Sequence, residues 1–382
     1  MKNRLRVMHL ITKLELGGAQ QNTLYCVAHH DCKKFDVLLA CGQGGMLDSE
    51  ASKIPNAKVF FLPYLKHHVS PFNDLMALFK LKALFKREQV DILHTHSSKA
   101  GILGRLAGAM AGVPVIVHTF HGFGFHDRQP WLVRKIYIWL ERLAARKSSV
   151  LIGVSTENIQ KARENHIGSE SQYRVIHSSI QLQDFVKAKG GKVRRELGIG
   201  PQTPLVGMVS NLKPQKAPLD FIRAAAIVSQ HLPLARFFIA GDGELRPQAE
   251  ALIQELGLKN KLFLLGWRRD IPELMAALDV LALSSLWEGL PRVFPQAMAA
   301  GKPIVATAVD GALEAIHEGR NGYLVEPGDF RALAEKIIYV LEHPAVARKV
   351  GQAGKKIALK EFDIRRMVKD IEKIYIGKAV PI

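Results

Sequence analysis

The chain has 382 residues, enough for two domains of ordinary size, and its 48% hydrophobic content supports packed cores. Three cysteines, Cys26, Cys32 and Cys41, are an odd count without metal-type spacing, which argues against a disulfide framework. No apolar run approaches the ~20 residues needed to span a bilayer, and Met1 to Leu16 has bases but neither a long apolar core nor a small-residue cleavage site. The net charge of +18 is uneven, with 26 Lys and Arg against 14 Asp and Glu over residues 1–190. A basic half suits polyanions or an anionic membrane surface without selecting between them. The expected location is the cytoplasm, with the inner face of the cell membrane as a surface the protein could touch.

In chain order, Leu5 to Leu10 reads as a first strand, followed by Leu16-Gly17-Gly18-Ala19-Gln20-Gln21 and a helix over Asn22 to His30. A glycine pair between strand and helix lets backbone approach a ligand, though a tight turn explains it equally well. The Gly-x-Gly-x-x-Gly spacing of a dinucleotide site is absent. Phe35 to Ala40 and Lys58 to Leu62 read as strands. Leu75 to Lys86 reads as a basic amphipathic helix, either a solvated face or a membrane contact. Val90 to His96 is a strand ending in His94 and His96. Histidines at i and i+2 point the same way, but no third metal ligand has suitable local spacing, so a polar strand end beside a site is the preferred reading. A small-residue helix, Ala100 to Ala111, follows. The apolar run from Val113 emerges into a loop holding His121, Gly122 and Gly124, where a polar group would meet a substrate, though a lone histidine is more often structural and the pattern alone does not overturn that. Trp131 to Lys147 reads as a long helix mixing aromatics with bases, and strands follow at Val150 to Val154 and Tyr173 to His177.

Residues 181–200 lack a strong apolar pattern and read as a linker. A second alternation of strand and helix then begins at Leu205. Its strands run into Asn211-Leu212-Lys213-Pro214-Gln215-Lys216, Gly241-Asp242-Gly243, Gly266-Trp267-Arg268 and the stretch from Ser284 to Gly301. Ile304 to Ala306 leads into Asp310-Gly311-Ala312-Leu313-Glu314. In a parallel sheet these loops would line one edge, which packing alone does not explain. Within the Ser284 stretch, Pro295 fits only the first helical turn. A helix start near Val293 to Pro295 would leave the amides of Arg292, Val293 and Phe294 facing the loop that carries Glu288, though on local pattern an ordinary strand-to-helix turn with a solvated Glu explains the stretch equally well.

Taken together and in order, these loops resemble the retaining glycosyltransferases of family 4, the glycosyl transferases group 1. The resemblance continues through Ala297-Met298-Ala299-Ala300-Gly301-Lys302-Pro303, Asn321-Gly322-Tyr323-Leu324-Val325 and Pro327-Gly328-Asp329. It implies an α/β protein of GT-B architecture, with two Rossmann-like domains whose parallel sheets face a central cleft. The implied boundaries are an acceptor-binding domain over 1–185, a donor-binding domain over 186–361, and a last helix over 362–376 packing back on the first domain. The implied donor is a nucleotide diphosphate sugar, a UDP- or GDP-sugar acting as co-substrate with no cofactor. The acceptor is a glycan or lipid-linked glycan of cell-surface polysaccharide or glycolipid synthesis. His121, Glu288 and Lys216 are the implied catalytic residues. Gly17, Gly18, Asn211, Lys213, Gly241, Asp242, Gly243, Trp267, Arg268, Gly289, Leu290, Pro291, Gln296 and Glu314, with Lys216 and Glu288, are the implied donor contacts.

Two departures stand out. Gln296 occupies the position of a second glutamate eight residues after the first, and Asn211 occupies that of an arginine paired with the diphosphate lysine. An amide oxygen still accepts hydrogen bonds, without the strength of an ionised acceptor. No Asp-x-Asp is present, so no obligatory metal is expected. The rival readings are a nucleotide-sugar epimerase of the same architecture and a basic non-catalytic protein binding membrane or nucleic acid. The latter lacks an aromatic-interleaved basic module or zinc spacing. The acceptor-selecting loops, 67–72 and 123–131, carry no readable code.

Overall fold

Strands of three to nine residues, the central ones largely apolar and covered on both faces, build two parallel sheets. The computed structural model describes residues 4–66, 68, 70–125 and 129–379. The first sheet holds β1 (Leu5–Lys13), β2 (Phe35–Gly42), β3 (Ala57–Leu62), β4 (Ile92–His96), β5 (Val115–Phe120), β6 (Val150–Gly153) and β7 (Tyr173–Val175). Their spatial order is β3-β2-β1-β4-β5-β6-β7. The second holds β8 (Leu205–Val209), β9 (Arg236–Ala240), β10 (Leu262–Leu264), β11 (Val280–Leu283), β12 (Ile304–Thr307) and β13 (Tyr323–Val325). They run in the order β10-β9-β8-β11-β12-β13.

The chain divides into two compact units. One runs up to Ser178 and resumes at Ile364; the other is Ser179–Asp363. The first unit's core sets Val7, Ile11, Val37, Leu39, Ile92 and Val117 of the sheet against Ile364, Met367, Val368, Ile371 and Tyr375 of helix Ile364–Ala379. Spacing of three and four residues puts these five on one helix face, so the chain's end closes one side of its first sheet. On the opposite side, helix Ser98–Ala111 is flanked by helices Pro71–Arg87 and Trp131–Ala145.

Residues 181–200 correct the linker expectation. They form helices Leu182–Lys187 and Gly191–Glu196, which bury Leu182, Phe185 and Val193. Six residues are too few for a helical period to register in sequence. Strand β13 is likewise only three residues long and rests on its pairing with β12. Among the described residues, no helix is long and apolar enough to cross a membrane. Of the expected acceptor loops, residues 67, 69 and 126–128 lie outside the described residues.

Candidate active site

Each sheet changes direction once. In the first the chain steps outward from β1 through β3, then crosses to β4; in the second it steps from β8 through β10, then crosses to β11. At such a switch point the loops after the two central strands diverge and leave a crevice at the carboxyl edge of the sheet, where α/β ligands bind. In the second unit, the loop after β8 carries Lys213 and Lys216, and the loop after β11 carries Glu288. The five glycine, lysine and carboxylate loops do lie at one edge, because every strand pairing of this sheet is parallel.

The two central loops are tied by hydrogen bonds that end on backbone carbonyls. The N–H of Leu286 donates to the Gln215 carbonyl at 2.8 Å, and Gln215 Nε2 donates to the Trp287 carbonyl at 2.9 Å. Ser284 Oγ donates to the carbonyl of Ala217 at 2.9 Å. These bonds bring Lys216 Nζ onto Glu288 Oε1 as an ion pair, with Glu288 almost fully buried. Ser285 Oγ donates to the same carboxylate oxygen at 2.6 Å, and the Glu288 N–H donates to Asp310 Oδ2 at 2.6 Å. A pair this buried persists only where further hydrogen bonds serve the carboxylate, and here they do. An ammonium has three donors, so one bond to Glu288 leaves Lys216 the capacity to serve an anion as well.

Asp310 is a residue that the sequence did not single out for the site. It follows β12, adopts φ +38°, and clips its turn to the Glu288 loop. The clip is completed by the Gly311 N–H donating to the Gly289 carbonyl at 3.0 Å. A Cβ on Gly311 would stand 2.2 Å from that oxygen, so only glycine permits the approach. Ala217 (φ +44°) after β8 and Ser97 (φ +61°) after β4 are strained in the same sense. Such conformations cost about 1–3 kcal/mol each and persist where the surroundings over-determine them. No sequence signal could have linked Asp310 to Glu288 or Gln215 to Trp287, since the partners lie 22 and 72 residues apart.

The remaining expected residues fall into distinct places. Gly241 (φ +142°) lets the loop after β9 lie against that after β8, since a Cβ there would meet the Ser210 carbonyl at 2.0 Å. Asp242 accepts from the Gly243 N–H at 2.8 Å and pairs with Arg246 at 3.0 Å. Asn211 keeps a buried Oδ1 with no hydrogen-bond partner among the described residues. Lys213 is exposed, Trp267 is half-exposed, and Glu314 lies on helix Gly311–Ala315. Leu290, Pro291 and Gln296 are buried. Arg268 is engaged away from this cluster by Asp270, at 2.6 and 2.7 Å, and by Glu196, and these carboxylates push its guanidinium further up. The helix after Glu288 is Val293–Ala299, as Pro295 requires, but the Phe294 N–H is not directed at the loop: it donates to the Pro291 carbonyl at 3.1 Å. Pro291 to Phe294 thus closes a turn whose hydrogen bond takes the amide. Burial lowers the Arg292 guanidinium to about 10.

In the first unit, Gly17 and Gly18 open helix Gly18–His29 just after β1, and His121 follows β5. Register pairs β1 with β4 so that His9 stands beside His94, which supplies the third histidine that local spacing could not reveal. The ring nitrogens of His9, His94 and His96 lie within 4.8 Å of one another, a spacing open to a metal ion. Those nitrogens already hold hydrogen bonds. His94 Nε2 meets Thr119 Oγ1 at 2.7 Å and its Nδ1 meets the Tyr375 hydroxyl, while His9 and His96 bond each other at 3.0 Å. Burial pushes His9, His94, His96 and His118 well below the usual histidine range, so these rings stay neutral.

Comparison with known proteins places the chain in a family. The family described as Glycosyltransferase Family 4 matches residues 16–184, and that described as glycosyl transferases group 1 matches 191–357. An Escherichia coli UDP-Gal:alpha-D-GlcNAc-diphosphoundecaprenol alpha-1,3-galactosyltransferase is 33% identical over 383 residues, covering 99% of this chain and 98% of that one. The crystal structure of Anabaena HepE in complex with UDP-glucose superposes with a TM-score of 0.85 at 25% identity, covering 98% of this chain and all of the other. Sucrose-phosphate synthase from Thermosynechococcus elongatus shares the fold, with a TM-score of 0.86 at 19% identity over 98% of this chain and 99% of that one. A parallel sheet in each unit, loop-borne polar groups at the switch points and a full-length relative at 33% identity agree: the chain belongs to the family 4 glycosyltransferases and is a glycosyltransferase of GT-B architecture.

Proposed function

We propose that this enzyme moves a hexosyl group from a UDP-sugar to a lipid-linked glycan, with retention of configuration, in the assembly of a cell-surface polysaccharide. The donor reading is supported by UDP-glucose in the Anabaena structure and UDP-Gal in the name of the Escherichia coli relative. That relative's diphosphoundecaprenol acceptor and alpha-1,3 linkage support the acceptor and the stereochemistry. The second unit binds the donor and the first the acceptor, and both steps proceed without an obligatory metal. The observation that carries the reading is the Lys216–Glu288 pair at the second sheet's switch point.

In the reaction, the bond from the sugar's anomeric carbon to the diphosphate oxygen breaks and its electron pair stays on the phosphate. The acceptor oxygen bonds the same carbon on the same face, and its proton passes to the leaving phosphate. Charge grows on the diphosphate in the transition state, so a fixed cation beside it lowers the barrier. Lys216 supplies that cation and Glu288 holds sugar hydroxyls, while the family resemblance is what gives His121 a role at the sugar. Gly17 and Gly18 offer backbone donors to the diphosphate, while Gln296 and Glu314 lie on the nucleotide side. The test is transfer from UDP-hexose to a lipid-linked acceptor by purified Lys216→Ala and Glu288→Ala. Each is expected to lose about 10²- to 10³-fold in turnover with the fold intact. Near-wild-type transfer by both would falsify the assignment.

A further inference from the structure

At the switch point of the second sheet, Glu288 uses its two carboxylate oxygens differently. Oε1 takes both the Lys216 ammonium and the Ser285 hydroxyl, the latter at 2.6 Å. Oε2 has no hydrogen-bond partner among the described residues and is open to solvent. The remainder of the pair is enclosed, with the Glu288 side chain 6% exposed and that of Lys216 17%. Ser285 is fully buried, and Thr307 Oγ1 donates to its carbonyl at 2.5 Å. The carboxylate is therefore anchored at one oxygen and presented at the other, and its charge cannot be swung away from Lys216 without breaking both anchoring bonds.

The positive charge of Lys216 is thus answered before any ligand arrives. A donor and a product meet that pair differently. A UDP-sugar brings hydroxyls, which can donate to Oε2 and satisfy the carboxylate. UDP brings no such group, and above pH about 6 its terminal phosphate gives up its last proton. The product then carries one more negative charge than the diphosphate of the donor and has nothing to offer Glu288. Charges in a half-enclosed site act on one another more strongly than in water and are screened less by salt. A bare carboxylate beside Lys216 accordingly opposes UDP more than it opposes a UDP-sugar. Release matters to turnover, because a site that holds its product tightly works at the rate at which the product leaves.

We propose that Glu288, besides serving the sugar, is the counter-ion that keeps Lys216 from holding on to UDP, so that the Lys216–Glu288 pair sets the preference of this site for UDP-sugar over UDP. This role rests on the donor placement proposed above. After transfer the sugar hydroxyls leave with the glycosylated acceptor, and the proton taken up by the leaving phosphate passes to water. The bare carboxylate then competes with the diphosphate for the ammonium of Lys216, and UDP departs.

The experiment is calorimetric titration of the intact protein with UDP and with uridine, for the wild type, Glu288→Gln and Lys216→Met. Glu288→Gln keeps an accepting oxygen for Ser285 and Lys216 and removes only the charge. It is expected to bind UDP about tenfold more tightly than the wild type, and Lys216→Met to bind it about tenfold more weakly. A side chain with a merely structural role would not bind product better when altered. UDP bound equally or less tightly by Glu288→Gln overturns the proposal. Uridine has no phosphate, so its affinity should be the same in Glu288→Gln and the wild type; a gain parallel to that of UDP overturns the proposal too, because charge would not be its cause. In the wild type, a UDP inhibition constant about tenfold below the KM of the UDP-hexose that supports transfer overturns it without any variant having to fold. Lys216→Met with wild-type affinity for UDP would remove Lys216 from the diphosphate, and the proposal with it. Weakened binding there beside unchanged binding in Glu288→Gln would leave that placement standing and overturn the counter-ion role alone.

Discussion

Glu288 is held from three sides, and only one of its holders carries charge opposite to it. Lys216 answers its carboxylate, Ser285 donates to the same oxygen, and Asp310 receives its backbone N–H. Asp310 therefore acts on the geometry of Glu288 through the backbone rather than on a ligand. Asp310→Ala removes an accepting carboxylate worth about 1.5–3 kcal/mol to that N–H. Turnover is expected to fall about tenfold or more, by the transition-state relation of rate to barrier. The circular dichroism spectrum should be unchanged, and wild-type kinetics would show that the clip is dispensable. Gly311→Ala is a second probe of the same contact. Its methyl would meet the Gly289 carbonyl at 2.2 Å, so the two loops must part, and donor-induced thermal stabilisation should shrink. An unchanged thermal shift would mean that the loops tolerate separation.

At the scale of elements, helix Ser98–Ala111 is fastened to helix Trp131–Ala145 by a buried pair, Arg105 to Glu141 at 2.5 Å, with Arg105 Nε also donating to the Gly101 carbonyl at 2.8 Å. Removing one partner leaves a buried charge, so Glu141→Leu should destabilise by about 3–5 kcal/mol, and the double variant with Arg105→Met should recover much of that. Chemical denaturation of the single and double variants measures the difference; additive losses would contradict a coupled pair. The outer faces of the flanking helices are unusual. Trp131 is 67% exposed, Trp139 61% and Phe72 74%, with Leu75, Phe79 and Ile136 also exposed. Lys135 lies 4.7 Å over the Trp131 ring. Aromatics beside bases suit an anionic lipid interface. The wild type is expected to float with phosphatidylglycerol vesicles and Trp131→Ala/Trp139→Ala to float less; equal recovery of both would remove these helices from membrane contact.

Across the whole molecule, the buried histidines make stability depend on pH. His9, His94, His96 and His118 lie well below their ordinary 6.5 in the folded protein because burial disfavours the charged ring. Unfolded, the same rings take up protons as pH falls through about 6.5. Over that window the unfolded state binds more protons, so stability is full above 6.5 and is lost as pH falls below it, by up to about 1.4 kcal/mol per ring per pH unit. Denaturant midpoints at pH 7.5 and 5.5 should differ accordingly, with the lower value at pH 5.5. Equal midpoints would mean that these rings are protonated in the fold.

What the sequence determined by itself was periodicity and local order. Leu205 to Val209 and Phe35 to Ala40 announce buried strands because a parallel sheet covered on both faces leaves no polar alternation. Pro295 limits the start of its helix because proline lacks an N–H. Lys216 and Glu288 stand out as candidate ligand groups because each is in a loop at a strand's carboxyl end, where polar residues have no packing reason to be. What only the tertiary structure decided was which distant residues meet. Sheet register set His9 beside His94, the order of β8 and β11 set Lys216 on Glu288, and the return of the last helix set Glu372 on His30. The reason is physical: periodicity is a property of one segment, whereas a hydrogen bond between strands or across a core depends on register and order, which no single segment encodes.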